Sequence, residues 1–130
     1  MKVGQIEQIR RKILIVDDNE GLTSVLEVLL EFDGYEVRLA QDGSDGYLAY
    51  ILFQPDLVLT DIRMPRKNGL ELMKEIRTHD PKVRTIYMSA DPGLFRTILE
   101  DEIERYQVSL LRKPFSTTEL RGMISKLLLD

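Results

Sequence analysis

The segment Ile13-Leu14-Ile15-Val16-Asp17-Asp18 decides how this chain of 130 residues folds. A strand with one wet face would alternate apolar and polar residues, and this one does not. It reads as a strand covered on both faces that ends abruptly in two carboxylates. Three more segments repeat the plan: Leu57-Val58-Leu59-Thr60-Asp61, Ile86-Tyr87-Met88-Ser89 and Leu110-Leu111-Arg112-Lys113-Pro114. Such strands suit a parallel sheet, whose ligands bind beyond the carboxyl ends of the strands. Three carboxylates, one hydroxyl and one ammonium then meet in a single crevice. That set suits a divalent cation and a phosphoryl group, and it points to a phosphorylation switch.

Helical patterns fill the gaps between these runs. Leu22, Val25, Leu26 and Leu29 fall at i, i+3, i+4 and i+7, predicting a first helix that buries this stripe and ends before Gly34. Val37 to Ala40 reads as a short second strand. A second helix after Asp42-Gly43 is expected to bury Leu48, Ile51 and Leu52 and to stop before Pro55. A third begins near Gly69, turns Leu70, Met73 and Ile76 inward, and ends before Pro81. Proline is well tolerated in a first turn, so a fourth is expected from near Pro92. Ser116-Thr117-Thr118-Glu119 reads as a capping box that opens a fifth. Strict alternation of strands and helices implies an α/β fold, a doubly wound five-stranded parallel sheet with right-handed crossovers.

Residues 12–130 are read as one domain, and residues 1–11 as a poorly ordered leader. The leader has no apolar block of the secretory kind. The composition, 43% hydrophobic and 31% charged, is that of an ordinary soluble globule. A net charge of −4 argues against direct binding to nucleic acid, which rewards a basic field. The chain has no cysteine, so disulfide and thiolate chemistry are excluded and a reducing cytoplasm is compatible. No apolar stretch approaches the roughly 18 residues a membrane span needs.

Adjacent carboxylates such as Asp17 and Asp18 repel, and a hard cation shared with a third oxygen donor relieves the cost. Asp61 supplies that donor at the end of the third strand. Magnesium fits best, because it accepts octahedral oxygen ligands and keeps several waters. The other use of the Asp17-Asp18 pair is to cap the first helix; Asp61 and Lys113 weigh against it. Asp61 can serve as metal ligand, as nucleophile forming an acyl phosphate, or as both. Lys113 suits a point charge on phosphate, and a cis bond to Pro114 would aim it inward. Ser89 offers a hydroxyl to a phosphoryl oxygen. Gly69, with Met64-Pro65 upstream, shapes the loop after Asp61. Arg63 and Asp91 are expected to overhang the site and to pair with each other. His79, the single histidine, is assigned no role.

Taken together, Asp17-Asp18, Asp61-Ile62-Arg63-Met64-Pro65 with Asn68-Gly69, Ser89-Ala90 and Lys113-Pro114-Phe115 resemble the receiver domain of two-component response regulators. The resemblance spans residues 12–128, nearly the whole chain. It implies a flavodoxin-like sheet of strand order 2-1-3-4-5. It also implies that Asp61 accepts a phosphoryl group from a partner sensor histidine kinase or phosphotransfer protein, the receiver itself catalysing the transfer and the later hydrolysis. Asp18 and Asp61 would hold Mg2+ through their side chains, Arg63 through its backbone carbonyl, and Asp17 largely through water. Ser89 and Lys113 would bind the phosphoryl oxygens. A cytoplasmic location, no membrane contact, and a homodimer through the face of the fourth helix, fifth strand and fifth helix are implied as well. Two positions depart from the family. Leu110 stands where an aromatic switch residue is usual, and Tyr106 where glycine is usual.

Other readings fare worse. A phosphatase of the haloacid dehalogenase type needs a second Asp two residues after its nucleophile, and Arg63 stands there. A nucleotide-binding domain needs a glycine-rich loop where Asp17-Asp18-Asn19-Glu20 lies. A receiver-like interaction module that is never phosphorylated is the remaining alternative, favoured only by Leu110 and Tyr106.

Overall fold

The computed structural model describes residues 9–129. Its sheet has the strand order β2-β1-β3-β4-β5, with β1 Lys12–Val16, β2 Glu36–Ala40, β3 Leu57–Asp61, β4 Arg84–Ser89 and β5 Val108–Arg112. Every neighbouring pair is parallel. The helices are α1 Glu20–Phe32, α2 Gly43–Phe53, α3 Gly69–Ile76, α4 Arg96–Arg105 and α5 Thr117–Leu128. Most of the expected leader, residues 1–8, lies outside the described residues. Arg11 is tied to the domain, its carbonyl accepting the Glu36 N–H and its guanidinium donating to the Leu128 carbonyl.

The period of two along each strand divides the core into two halves. Ile13, Ile15, Leu57, Leu59, Ile86, Met88 and Leu111 face Leu26 and Leu30 of α1 and Leu120, Ile124 and Leu128 of α5. Leu14, Val16, Val58, Tyr87 and Val108 face α2, α3 and α4. The uninterrupted apolar runs follow directly, since each strand must satisfy two cores. This layering places Asp17, Asp61, Ser89 and Lys113 at or just past the same end of adjacent strands, where the sheet stops and solvent begins.

Of the expected helix faces, that of α1 is largely kept and that of α2 is not. In α1, Leu26 is buried and Leu22 and Leu29 pack against the core, while Val25 is 63% exposed and Thr23 and Leu30 are buried as well. In α2, Leu48, Ile51 and Leu52 all face solvent, and Gly43, Gly46, Tyr50 and Phe53 are buried. Apolar residues surround α2 on every side, so their spacing cannot select a face. The glycines select it: a Cβ on Gly46 would lie 3.0 Å from Leu72 and 3.2 Å from Val16, so the helix sits on its bare backbone. Pro92–Phe95 forms a 3₁₀ turn, and the regular fourth helix starts only at Arg96. The capping box at Ser116 is present, Ser116 and Glu119 exchanging side-chain to backbone bonds.

These glycines predict opposite responses. Gly46→Val would overpack the α2 contact and is expected to cost about 1–3 kcal/mol. Gly122, in α5, has open space around its missing Cβ, so Gly122→Ala is expected to gain about 0.5–1 kcal/mol from helix propensity. Urea unfolding of both variants reads the two signs.

Candidate functional site

Asp17 follows directly on β1 and is fully buried at its side chain. Its Oδ1 accepts the Asn19 N–H at 2.9 Å, and its Oδ2 accepts from Lys113 Nζ at 2.9 Å. Asp18 is exposed and makes no hydrogen bond or ion pair with the described residues. Asp61, whose side chain is 14% exposed, accepts the Ile62 N–H on Oδ1 and lies 3.5 Å from Lys113 Nζ on Oδ2. One carboxylate oxygen from each of Asp17, Asp18 and Asp61 can be chosen so that all three lie within 4.8 Å of one another. Helix capping does not occupy this pair, because Asn19 takes the α1 cap and accepts the Leu22 N–H. Asn19 was not singled out in the sequence, although an Asx residue just before a helical stripe is the signal for it.

Among the described residues, Lys113 is the only cation in contact with the trio. Its main chain is fixed by donating the Lys113 N–H to the Ser89 carbonyl at 2.9 Å, and its bond to Pro114 is cis. Ser89 is buried, and its Oγ accepts the Asp91 N–H at 3.1 Å, leaving the hydroxyl proton free to donate. Arg63 and Asp91 are both exposed at the rim. The expected ion pair between them is not formed, each side chain being solvated instead.

The loop between β3 and α3 is pinned at both ends. Gly69 donates its N–H to the Ile62 carbonyl, and a Cβ there would lie 2.2 Å from the Asp61 carbonyl oxygen. Gly43, which the sequence reading used only as a helix start, donates to the Lys67 carbonyl, and a Cβ would lie 2.3 Å from that oxygen. No spacing rule reveals this second glycine, because the contact joins segments distant in sequence. A cavity of about 430 Å³ between Tyr50, Gln54, Pro55, His79 and Asp80 lies at the opposite end of the sheet. There Tyr50 donates to Asp80, and burial together with that carboxylate lifts the Tyr50 phenol to about 12.

Charge explains the chemistry available. Three carboxylates against one ammonium leave two uncompensated negative charges, matching a divalent cation in charge and in donor type. Burial and the Asp17 charge raise the Asp61 pKa, although Lys113 and the Ile62 N–H pull it down. Burial lowers the Lys113 pKa, but Asp17 and Asp61 raise it further, so the net shift is upward. The site thus holds its carboxylates under electrostatic strain and its lysine charged.

The described residues thus form a doubly wound parallel domain with an acidic cleft at its strand ends, the architecture of a signalling receiver. The chain belongs to the response regulator receiver domain family, whose model matches residues 13–125. It is 39% identical over 118 residues to the transcriptional regulatory protein CpxR of Klebsiella pneumoniae subsp. pneumoniae, covering 90% of this chain and 49% of that protein. It is 32% identical over 117 residues to sporulation initiation phosphotransferase F of Bacillus subtilis, covering 90% and 93% of the two. The receiver domain of a sensor histidine kinase from Pseudomonas aeruginosa, with a magnesium ion coordinated in its active site cleft, superposes with a TM-score of 0.81 at 27% identity, covering 94% of this chain and all of that one. The chain spans about half the length of the transcriptional regulators it matches. It is a phosphoacceptor receiver domain of two-component signalling, a class that works with histidine kinases or phosphotransfer proteins.

The raised Asp61 pKa gives a signed prediction. Its ionised form costs folding stability wherever the unfolded carboxyl, near 3.8, is charged, and the cost is complete above the folded value. In cation-free buffer, Asp61→Asn is expected to raise the Tm at neutral pH by a few degrees. That gain should vanish once the pH falls below 3.8, where both states carry a protonated carboxyl. Melting curves at the two pH values check both halves.

Proposed function

We propose that Asp61 is the phosphoacceptor, with Mg2+ held by the side chains of Asp18 and Asp61, the Arg63 carbonyl and, through water, Asp17. The observation that carries this reading is the convergence of three carboxylates on one point with Lys113 Nζ 3.5 Å from Asp61. An Asp61 carboxylate oxygen attacks phosphorus, the O–P bond forming as the P–N bond of a phosphohistidine breaks and the imidazole leaves with a proton. Lys113 and the Ser89 hydroxyl then receive the phosphoryl oxygens as a point charge and a hydrogen-bond donor. Bound magnesium would screen the like charges that otherwise oppose the donor's approach.

Asn19 and Lys113 orient Asp17, while the Ile62 N–H and Lys113 hold the attacking carboxylate of Asp61, so the two acids are positioned by contacts on three different loops. The domain would catalyse only its own phosphorylation and, by admitting water, its dephosphorylation. In this reading it acts in the cytoplasm, receives its phosphoryl group from a sensor histidine kinase or phosphotransfer protein, and binds neither membrane nor nucleic acid directly. Ile98 and Ile103, about half exposed on α4, would take part in a homodimer through the α4, β5 and α5 face.

Intact mass after incubation with acetyl phosphate and magnesium tests the assignment. Wild type is expected to gain one phosphoryl group, and Asp61→Asn none. Lys113→Ala is expected to take up the group at least tenfold more slowly, since a charge-assisted contact is lost from the phosphoryl site. Uptake by Asp61→Asn equal to wild type would move the acceptor elsewhere. No uptake by any form would leave a receiver-shaped interaction module.

A further inference from the structure

The fourth helix has little apolar purchase on the domain. Of its residues only Leu99 and Glu102 are buried, while Ile98 is 51% and Ile103 46% exposed. A glutamate therefore does half the seating, and its surroundings show how. Tyr87, at the centre of β4 and fully buried, donates its hydroxyl to Glu102 Oε1 at 2.6 Å. Arg77, the C-cap of α3, meets the same oxygen with Nη1 at 2.9 Å, its side chain being only 7% exposed. The Arg77 guanidinium lies 4.2 Å from the centre of the Tyr106 ring, and Tyr106 closes α4 by donating its N–H to the Glu102 carbonyl. Burial, then the Glu102 carboxylate, push the Tyr87 phenol far up, so it stays a donor.

The same strand carries the phosphoryl-binding hydroxyl. Tyr87 and Ser89 are two apart on β4 and point to one side of the sheet. In register across from Tyr87 on β5 stands Leu110, which has no ring to move. Ser89 Oγ holds the Asp91 N–H, and Asp91 leads directly into the 3₁₀ turn that precedes α4. Drawing Ser89 toward a phosphoryl group on Asp61 thus pulls on one end of α4 while Glu102 anchors the other.

We propose that Tyr87, Arg77 and Glu102 form a polar latch that seats α4 in the unphosphorylated domain and yields when Ser89 engages the phosphoryl group. Tyr87 and Glu102 are positioning residues, and Tyr106, in place of the usual glycine, shields the Arg77 end from water. The latch rests on the reading of Asp61 as phosphoacceptor.

Hydrogen–deuterium exchange over residues 96–105, with intact mass on the same samples, tests it in wild type, Tyr87→Phe and Glu102→Gln. Both substitutions keep the shape of the residue they replace, and the second leaves the fully buried Tyr87 of β4 intact, so it still decides if the first folds poorly. A hydrogen bond to a charged acceptor is worth roughly tenfold to a hundredfold in an opening equilibrium. Exchange across α4 is therefore expected to rise about tenfold or more in unphosphorylated Tyr87→Phe, with α1 and α5 unchanged. Acetyl phosphate with magnesium should accelerate α4 exchange in wild type and add little in the variants. Phosphoryl uptake should be faster in the variants, whereas mere structural damage would slow it. Unchanged α4 exchange in both variants, with normal uptake, overturns the latch. An equal phosphorylation-induced increase in all three proteins overturns its coupling to Ser89. A wild type that gains no mass instead sinks the phosphoacceptor reading, and the release step with it.

Discussion

Like charges gathered at one point, and the Lys113 cation that makes their gathering tolerable, govern the rest of this molecule. Two such charges about 4 Å apart near a protein surface repel by about 4 kcal/mol. A fold can bury carboxylates that close, as it does Asp17 and Asp61, only if each is fixed by something else. Asp17 is held by the Asn19 N–H and Lys113, and Asp61 by the Ile62 N–H. Lys113 bridges the two, and its own backbone is hung from the Ser89 carbonyl. The crevice is thus a set of mutual constraints drawn from β1, β3, β4 and β5. Remove the sheet's alignment and no local sequence would keep these groups together.

Much of this was legible because the strands must satisfy two cores. Ile13 to Val16 and Leu57 to Leu59 are fully buried, and a continuous apolar run reports that burial without ambiguity. The charged residue that breaks the run marks where the sheet meets solvent, so Asp17 and Asp61 could be placed from the sequence, while Lys113 follows Arg112, the last residue of β5. Helix faces were less readable. In α2 the side chains Leu48, Ile51 and Leu52 suggest an inner face that the helix does not use. Gly46 decides the rotation by having nothing to displace, and hydrophobic periodicity does not register a residue that contributes by absence. The unmade Arg63–Asp91 pair has a different cause. Two exposed ions gain little from meeting, so proximity in the sequence pattern carries no force.

The output side of the domain shows the same trade of apolar for polar contacts. Leu110 packs where an aromatic ring is usual, and the aromatic and ionic groups appear instead one strand and one helix away, at Tyr87, Arg77, Glu102 and Tyr106. Buried polar contacts of this kind hold firmly while complete and weaken sharply when one partner moves. An apolar seat would give way gradually. A helix fastened in good part through Glu102 would therefore have two well-separated conditions, which is what a signalling surface requires.

The loop from Ile62 to Asn68 adds a consequence that concerns entropy. Its two ends are closed by backbone contacts at Gly43 and Gly69, where no side chain fits, and Asn68 and Glu71 cap α3 reciprocally. Its shape is fixed before anything binds. A ligand arriving at this rim finds walls that need no ordering, so association is spared a conformational cost that flexible sites incur on each encounter. What remains to be overcome is the stripping of water from the incoming ion. The tempo of ion capture would then be set by the hydration of the ion more than by the motions of this loop.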